Sequence, residues 1–178
     1  LFHKSLILPI IAYLLTFVNN NPKNYFLFWL VSIPISLILG STFELQIKNL
    51  TFITEGRDAY FDNSVDSAKF SRTGFRWDFV IYSSIGIIVA YFSVIKKKYS
   101  DELYIRILNI YLFCNAFWIL IIRASFSNRF AYLSWFLLGL IIIYPFLKVK
   151  IIKNQYRFIG LILAVYYLIT YTLNVILK

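Results

Sequence analysis

Apolar runs of membrane length dominate this chain and leave it few folds to choose from. Tyr25 to Phe43, Trp77 to Ile95, Leu103 to Ile122, Phe130 to Leu147 and Phe158 to Leu177 each come close to the ~20 residues that a helix needs to cross the hydrocarbon core of a bilayer. Leu6 to Val18 is a shorter run of the same kind. No strand-like alternation suggests a barrel. The fold class expected is therefore all-α: a polytopic transmembrane helical bundle of about six spans, forming one integral membrane domain over residues 1–178. Composition agrees, since 60% of the residues are hydrophobic where soluble domains hold about 45–50% apolar residues.

The net charge of +10 is distributed as in a membrane protein. Lys23, Lys96 to Lys98, and Lys148, Lys150, Lys153 and Arg157 sit in short turns between apolar runs, opposed there by Asp101 and Glu102 alone. Alternation of six spans brings these turns to one face, which the positive-inside bias assigns to the cytoplasm. The partner implied is the lipid bilayer, with no nucleic acid. Cys114 and His3 are each the single residue of their kind, so neither a disulfide, a cysteine zinc site nor a histidine relay can be assembled within the chain. Neither a metal nor a cofactor is expected. The absence of methionine, even at position 1, reads as part of a longer protein lacking its N-terminal segment.

Within the runs, Pro34 marks a kink or is passive. Gly86 and Ala90 have the spacing that lets helices approach closely. Asn109 and Asn115 lie deep in the fourth run, where an amide needs a partner, and interhelical hydrogen bonding is the plain reading. Arg106 is close enough to the run's start to snorkel outward, and Cys114 reads as a small packing residue.

The long polar segment from Glu44 to Asp78 interrupts this pattern. It holds Glu44, Glu55, Asp58, Asp62 and Asp66, five of the eight acids, before Arg72-Thr73-Gly74-Phe75-Arg76-Trp77-Asp78. Residues 44–76 form a loop on the face opposite the lysines, which is the outer face. A loop of that length between spans is uncommon unless it is functional or disordered. Arg57, Asp58, Asp62, Asp66, Arg72, Arg76 and Asp78 share that face with Arg123 and Arg129 of a second turn. Arginine grips phosphate bidentately at any working pH, and a neighbouring carboxylate can accept a proton. The competing interpretation is structural: such arginines also pair with lipid headgroups, and Arg76 with Asp78 also reads as a local ion pair at a helix start. No phosphate-binding glycine loop or catalytic triad accompanies them.

Three stretches resemble the C-terminal half of the EpsG family, which belongs with the Wzy-type polymerases of exopolysaccharide, capsule and O-antigen repeat units. They are Arg72-Thr73-Gly74-Phe75-Arg76-Trp77-Asp78-Phe79-Val80-Ile81-Tyr82-Ser83, Tyr104 through Tyr111-Leu112-Phe113-Cys114-Asn115-Ala116-Phe117-Trp118, and Ser127-Asn128-Arg129-Phe130-Ala131-Tyr132-Leu133-Ser134-Trp135. The similar part runs from Phe52 to Leu147. The resemblance implies a membrane glycosyltransferase that joins undecaprenyl-pyrophosphate-linked oligosaccharides at the outer face of the bacterial inner membrane. A flippase and a chain-length regulator of the same pathway would be its further partners. On this reading Arg72, Arg76, Arg123 and Arg129 bind the substrate pyrophosphate, and Asp78, Asp58, Arg76 and Arg129 are the catalytic candidates. Members of the family have further spans that this chain lacks.

Besides a purely structural membrane subunit, against which the long charged loop speaks, two alternatives stand beside the polymerase. One is another lipid-phosphate-sugar glycosyltransferase, which shares the arginine logic and differs in product length. The other is a flippase or transporter of the lipid-linked oligosaccharide, which calls for polar residues along a path through the membrane.

Overall fold

The computed structural model of the chain describes residues 6–48, 74–123, 127–150, 152–172 and 175, and for residues 41, 43–48, 128 and 129 the backbone alone. Among the described residues six α-helices follow one another: α1 (Ile7–Val18), α2 (Pro22–Lys48), α3 (Trp77–Tyr91), α4 (Glu102–Leu120), α5 (Asn128–Lys148) and α6 (Gln155–Tyr171). Four helices are long and apolar enough to cross a membrane, over Pro22–Gly40, Trp77–Lys96, Glu102–Leu120 and Phe130–Lys148. α1 is a shorter apolar helix. The described part of the chain is thus a helical membrane bundle, as the apolar runs require.

The helix boundaries follow from local chemistry. Between α1 and α2, Asn19 and Asn21 turn the chain by accepting from the backbone N–H groups of Asn21 and Lys23 at 3.0 and 3.1 Å. Pro22 then opens α2, where a missing N–H costs nothing. α2 runs unbroken through Pro34 to Lys48, past Glu44, where the sequence placed the start of the polar loop; residues 49–73 lie outside the described residues. Gly74 precedes α3 with φ +109°, a left-handed geometry that favours glycine.

α3 ends in a π-helical turn, Phe92–Lys96, and the chain reverses through Lys98 at φ 55°. Asp101 caps α4, accepting from Tyr104 N–H at 2.8 Å. At the far end of α5, Gln155 donates to the Phe146 carbonyl at 2.5 Å, which fixes the turn into α6.

α4 is the central helix. Its Tyr104, Leu108, Tyr111, Leu112, Ala116, Trp118 and Ile119 are fully enclosed by α1, α2, α3 and α5. Gly86 of α3 lies against Leu138 of α5, so closely that a Cβ there would collide with the Leu138 side chain; the small residue predicted to admit a neighbour does so. Cys114 is buried with Leu8 and Ala12 of α1, a packing residue as expected. Large apolar side chains such as Leu30, Ile38, Ile88, Phe136 and Leu161 point outward. That inversion of the soluble pattern suits a lipid surround.

Candidate functional site

The alternating helices give the bundle two chemically distinct ends. At one, α2 ends, α3 begins, α4 ends and α5 begins. That end carries Arg76, Asp78, Arg123 and Arg129.

Arg76 stands at the N-cap position of α3 and Asp78 in its first turn. The arginine folds over the helix start, donating from Nε to Asp78 Oδ1 at 2.9 Å and from Nη2 to Oδ2 at 2.5 Å. Its guanidinium carbon lies 4.0 Å from the centroid of the Phe79 ring. Both oxygens of Asp78 are therefore occupied by one guanidinium. The two side chains are 23% and 35% exposed, and an ion pair so wet is worth about 1 kcal/mol or less. It is a closed pair that opens at little cost.

Arg123 follows the end of α4 and reaches across to α2, where Nη2 donates to the Leu37 carbonyl at 3.2 Å. Its Nε is buried with no hydrogen-bond partner, and so is the hydroxyl of Ser36. Both lie beside Gly40: a Cβ built on that glycine would stand 3.1 Å from Arg123 Nε and 3.7 Å from Ser36 Oγ. Ser32, Ser36 and Gly40 recur every fourth residue on the face of α2 that meets α4. This stripe of small residues lets the helices come together and gives Arg123 its slot. The same four-residue spacing is present in the sequence of α2 as in Gly86 and Ala90 of α3.

Arg129 is the second residue of α5 and shares this end by its backbone. Asp58 and Arg72, with Arg57, Asp62 and Asp66, lie outside the described residues. Among the described residues no hydrogen bond or ion pair joins Arg123 to the Arg76–Asp78 pair.

Beneath this end the helices are tied together by a polar cluster. The Asn115 amide donates to Ser83 Oγ and Ser134 Oγ, both at 3.1 Å, and its oxygen accepts from Trp29 Nε1 at 2.8 Å. Trp135 Nε1 donates to Ser83 Oγ at 2.8 Å, and the Tyr111 hydroxyl to the Ser83 carbonyl at 2.8 Å. One asparagine thus connects α2, α3, α4 and α5. Asn109 donates to Asn20 Oδ1 of the α1–α2 turn at 2.9 Å, while its own buried oxygen has no hydrogen-bond partner among the described residues. Interhelical hydrogen bonding, the plain reading of both amides, is what Asn115 makes; Asn109 ties its helix to a turn instead. Around Trp135 the rings of Phe79, Tyr82, Trp118 and Tyr132 pack at 5.0–5.8 Å between centroids, an aromatic floor between the cluster and the arginines.

Arg106, expected to snorkel, turns back to Glu102 at 2.7 Å. It also donates to Thr16 Oγ1 at 3.4 Å and lies over the Phe17 ring, tying α1 to α4 at the other end.

A helical membrane bundle with an arginine-bearing end and a lysine-bearing end is the class that fold and charge define. The chain belongs to the EpsG family, whose model matches residues 1–178. The match extends on both sides of the stretch of resemblance, residues 52–147. Membership makes this a membrane protein of polysaccharide biosynthesis. No curated protein and no solved structure matches the chain.

Proposed function

We propose that the protein is a polysaccharide polymerase that joins oligosaccharide repeat units carried on undecaprenyl pyrophosphate, with the lysine-bearing end in the cytoplasm and the arginine-bearing end outside the inner membrane. The observation that carries the reading is the common end of α3, α4 and α5, which bears Arg76, Asp78, Arg123 and Arg129 away from the lysine-rich turns. A hydroxyl of the acceptor sugar attacks the anomeric carbon of the donor chain. The bond to the pyrophosphate oxygen breaks, and its electron pair leaves with the lipid pyrophosphate.

Fixed cations near that leaving group stabilise the charge as it develops. Asp78 or Asp58 takes the proton of the attacking hydroxyl. The bidentate Arg76–Asp78 pair suggests how the two roles are coupled: an arriving pyrophosphate competes for Arg76, and the carboxylate released is then available to the hydroxyl. A single-sugar transferase would use the same residues. The transporter reading draws no support from the Asn115 cluster, whose groups are spent on one another.

The test is the length distribution of surface polysaccharide in a strain lacking the full-length gene, complemented with wild-type protein, Arg76→Ala or Arg129→Ala at equal level. Single repeat units on the carrier in the knockout, and failure of either variant to restore the ladder, are expected. Unchanged polymer length in the knockout overturns the polymerase reading.

A further inference from the structure

At the end opposite the arginines, the α3–α4 and α5–α6 turns flank an open hollow of about 620 Å³. Lys97, Lys98, Lys148 and Lys150 line it together with Tyr99 and Asp101. Among the described residues the ion pairs are Arg76–Asp78 and Arg106–Glu102, so none of these four lysines has a carboxylate within 4.0 Å. Asp101, the one acid in the lining, is already in use: its Oδ1 accepts from Tyr104 N–H at 2.8 Å and from the Tyr144 hydroxyl at 3.4 Å.

The hydroxyl of Tyr99 is buried and has no hydrogen-bond partner. Burial, with Asp101 close by, pushes its pKa up to about 12, so it remains a neutral donor at any physiological pH. The ammonium groups of Lys97 and Lys148 lie over aromatic rings, with Nζ 5.4 Å from the Phe92 centroid and 5.6 Å from the Tyr144 centroid. Four cations are gathered here against the single charge of Asp101, beside a buried unpaired donor.

We propose that this hollow is a binding site for the phosphate diester headgroup of an anionic membrane phospholipid. Phosphate supplies negative charge for the excess of lysines over Asp101 and an acceptor for Tyr99. Basic pockets among membrane helices favour such headgroups. The lipid source is argued by the rim: Leu147 and Val149, adjoining the lysines, are 71% and 49% exposed, offering apolar surface for acyl chains. The inference rests on the helical membrane bundle and not on the polymerase reading.

The experiment is native mass spectrometry of the full chain in detergent, supplied with phosphatidylglycerol or with phosphatidylcholine. Retention of phosphatidylglycerol over phosphatidylcholine is expected, weakened about thirtyfold in Lys97→Ala/Lys148→Ala and kept in Lys97→Arg/Lys148→Arg. Lys23→Ala/Lys96→Ala removes the same charge from the same end without touching this lining and is expected to retain the lipid. Equal retention of the two lipids, or equal loss in the two alanine pairs, overturns the site. Displacement of phosphatidylglycerol by millimolar inorganic phosphate overturns the lipid as its occupant in favour of free phosphate.

Discussion

Trp29 Nε1 donates to Asn115 Oδ1 at 2.8 Å, joining residues 86 positions apart in the chain. Asn115→Leu keeps the branched shape, with somewhat larger ends, but removes this bond and those to Ser83 and Ser134. At about 0.6 kcal/mol for an interhelical hydrogen bond in a bilayer, the loss expected is about 2 kcal/mol. Denaturant unfolding of the full chain in mixed micelles measures it. A cycle with Trp29→Phe should give a coupling of about 0.6 kcal/mol; strictly additive losses would mean the pair contributes nothing.

Asp78→Asn tests the carboxylate with its shape preserved. If Asp78 accepts the proton, the polymerisation rate of the full-length protein falls about 10²- to 10⁴-fold, and Asp78→Glu recovers part of it. Arg76→Lys keeps the charge and loses the planar fork that grips both oxygens, so it should behave more like Arg76→Ala than like wild type. Normal rates in Asp78→Asn would pass the role of base to Asp58 or to another group.

Gly40→Ala separates stability from activity. The added methyl would stand 3.1 Å from Arg123 Nε, so the guanidinium must shift by a few tenths of an ångström or more. α2 meanwhile gains about 1 kcal/mol of helix propensity. The expected variant is as stable as wild type or more so, with polymerisation reduced about ten- to hundredfold by displacement of the cation. An equally stable variant with an unaltered polysaccharide ladder would remove Arg123 from the site.

Gly86 poses the opposite case, since the atom it meets belongs to Leu138, which is itself fully buried. Gly86→Ala sets a propensity gain of about 1 kcal/mol against overpacking of about 1–3 kcal/mol. The net expectation is a loss of up to ~2 kcal/mol. Gly86→Leu leaves no way for Leu138 to yield and should separate α3 from α5, seen as a lowered unfolding midpoint.

The helices were legible because the apolar runs are long and are punctuated by the residues that end them, such as Asn19-Asn20-Asn21-Pro22 and Lys96-Lys97-Lys98. The Arg76–Asp78 pair was legible too, being local. The partners of Asn115 were not: an amide deep in an apolar run announces that it needs a hydrogen bond, but nothing in its neighbourhood points to Trp29 or Ser134. The π-helical turn at Phe92–Lys96 is too short to alter a periodic pattern. Arg123 was recognised by its charge, whereas its slot beside Ser36 and Gly40 depends on which face of α2 meets α4, and only packing decides that.

The Asn115 cluster also bears on how the chain is made. α4 carries Arg106, Asn109 and Asn115 and is ill suited to stand alone in lipid, where each polar group weighs against insertion. Its partners are arranged in a favourable order along the chain. Asn20, Trp29 and Ser83 precede α4, and synthesis runs from the N-terminus. When the ribosome delivers Asn115, two of its three partners already stand in the bilayer, and Ser134 arrives one helix later to complete the set.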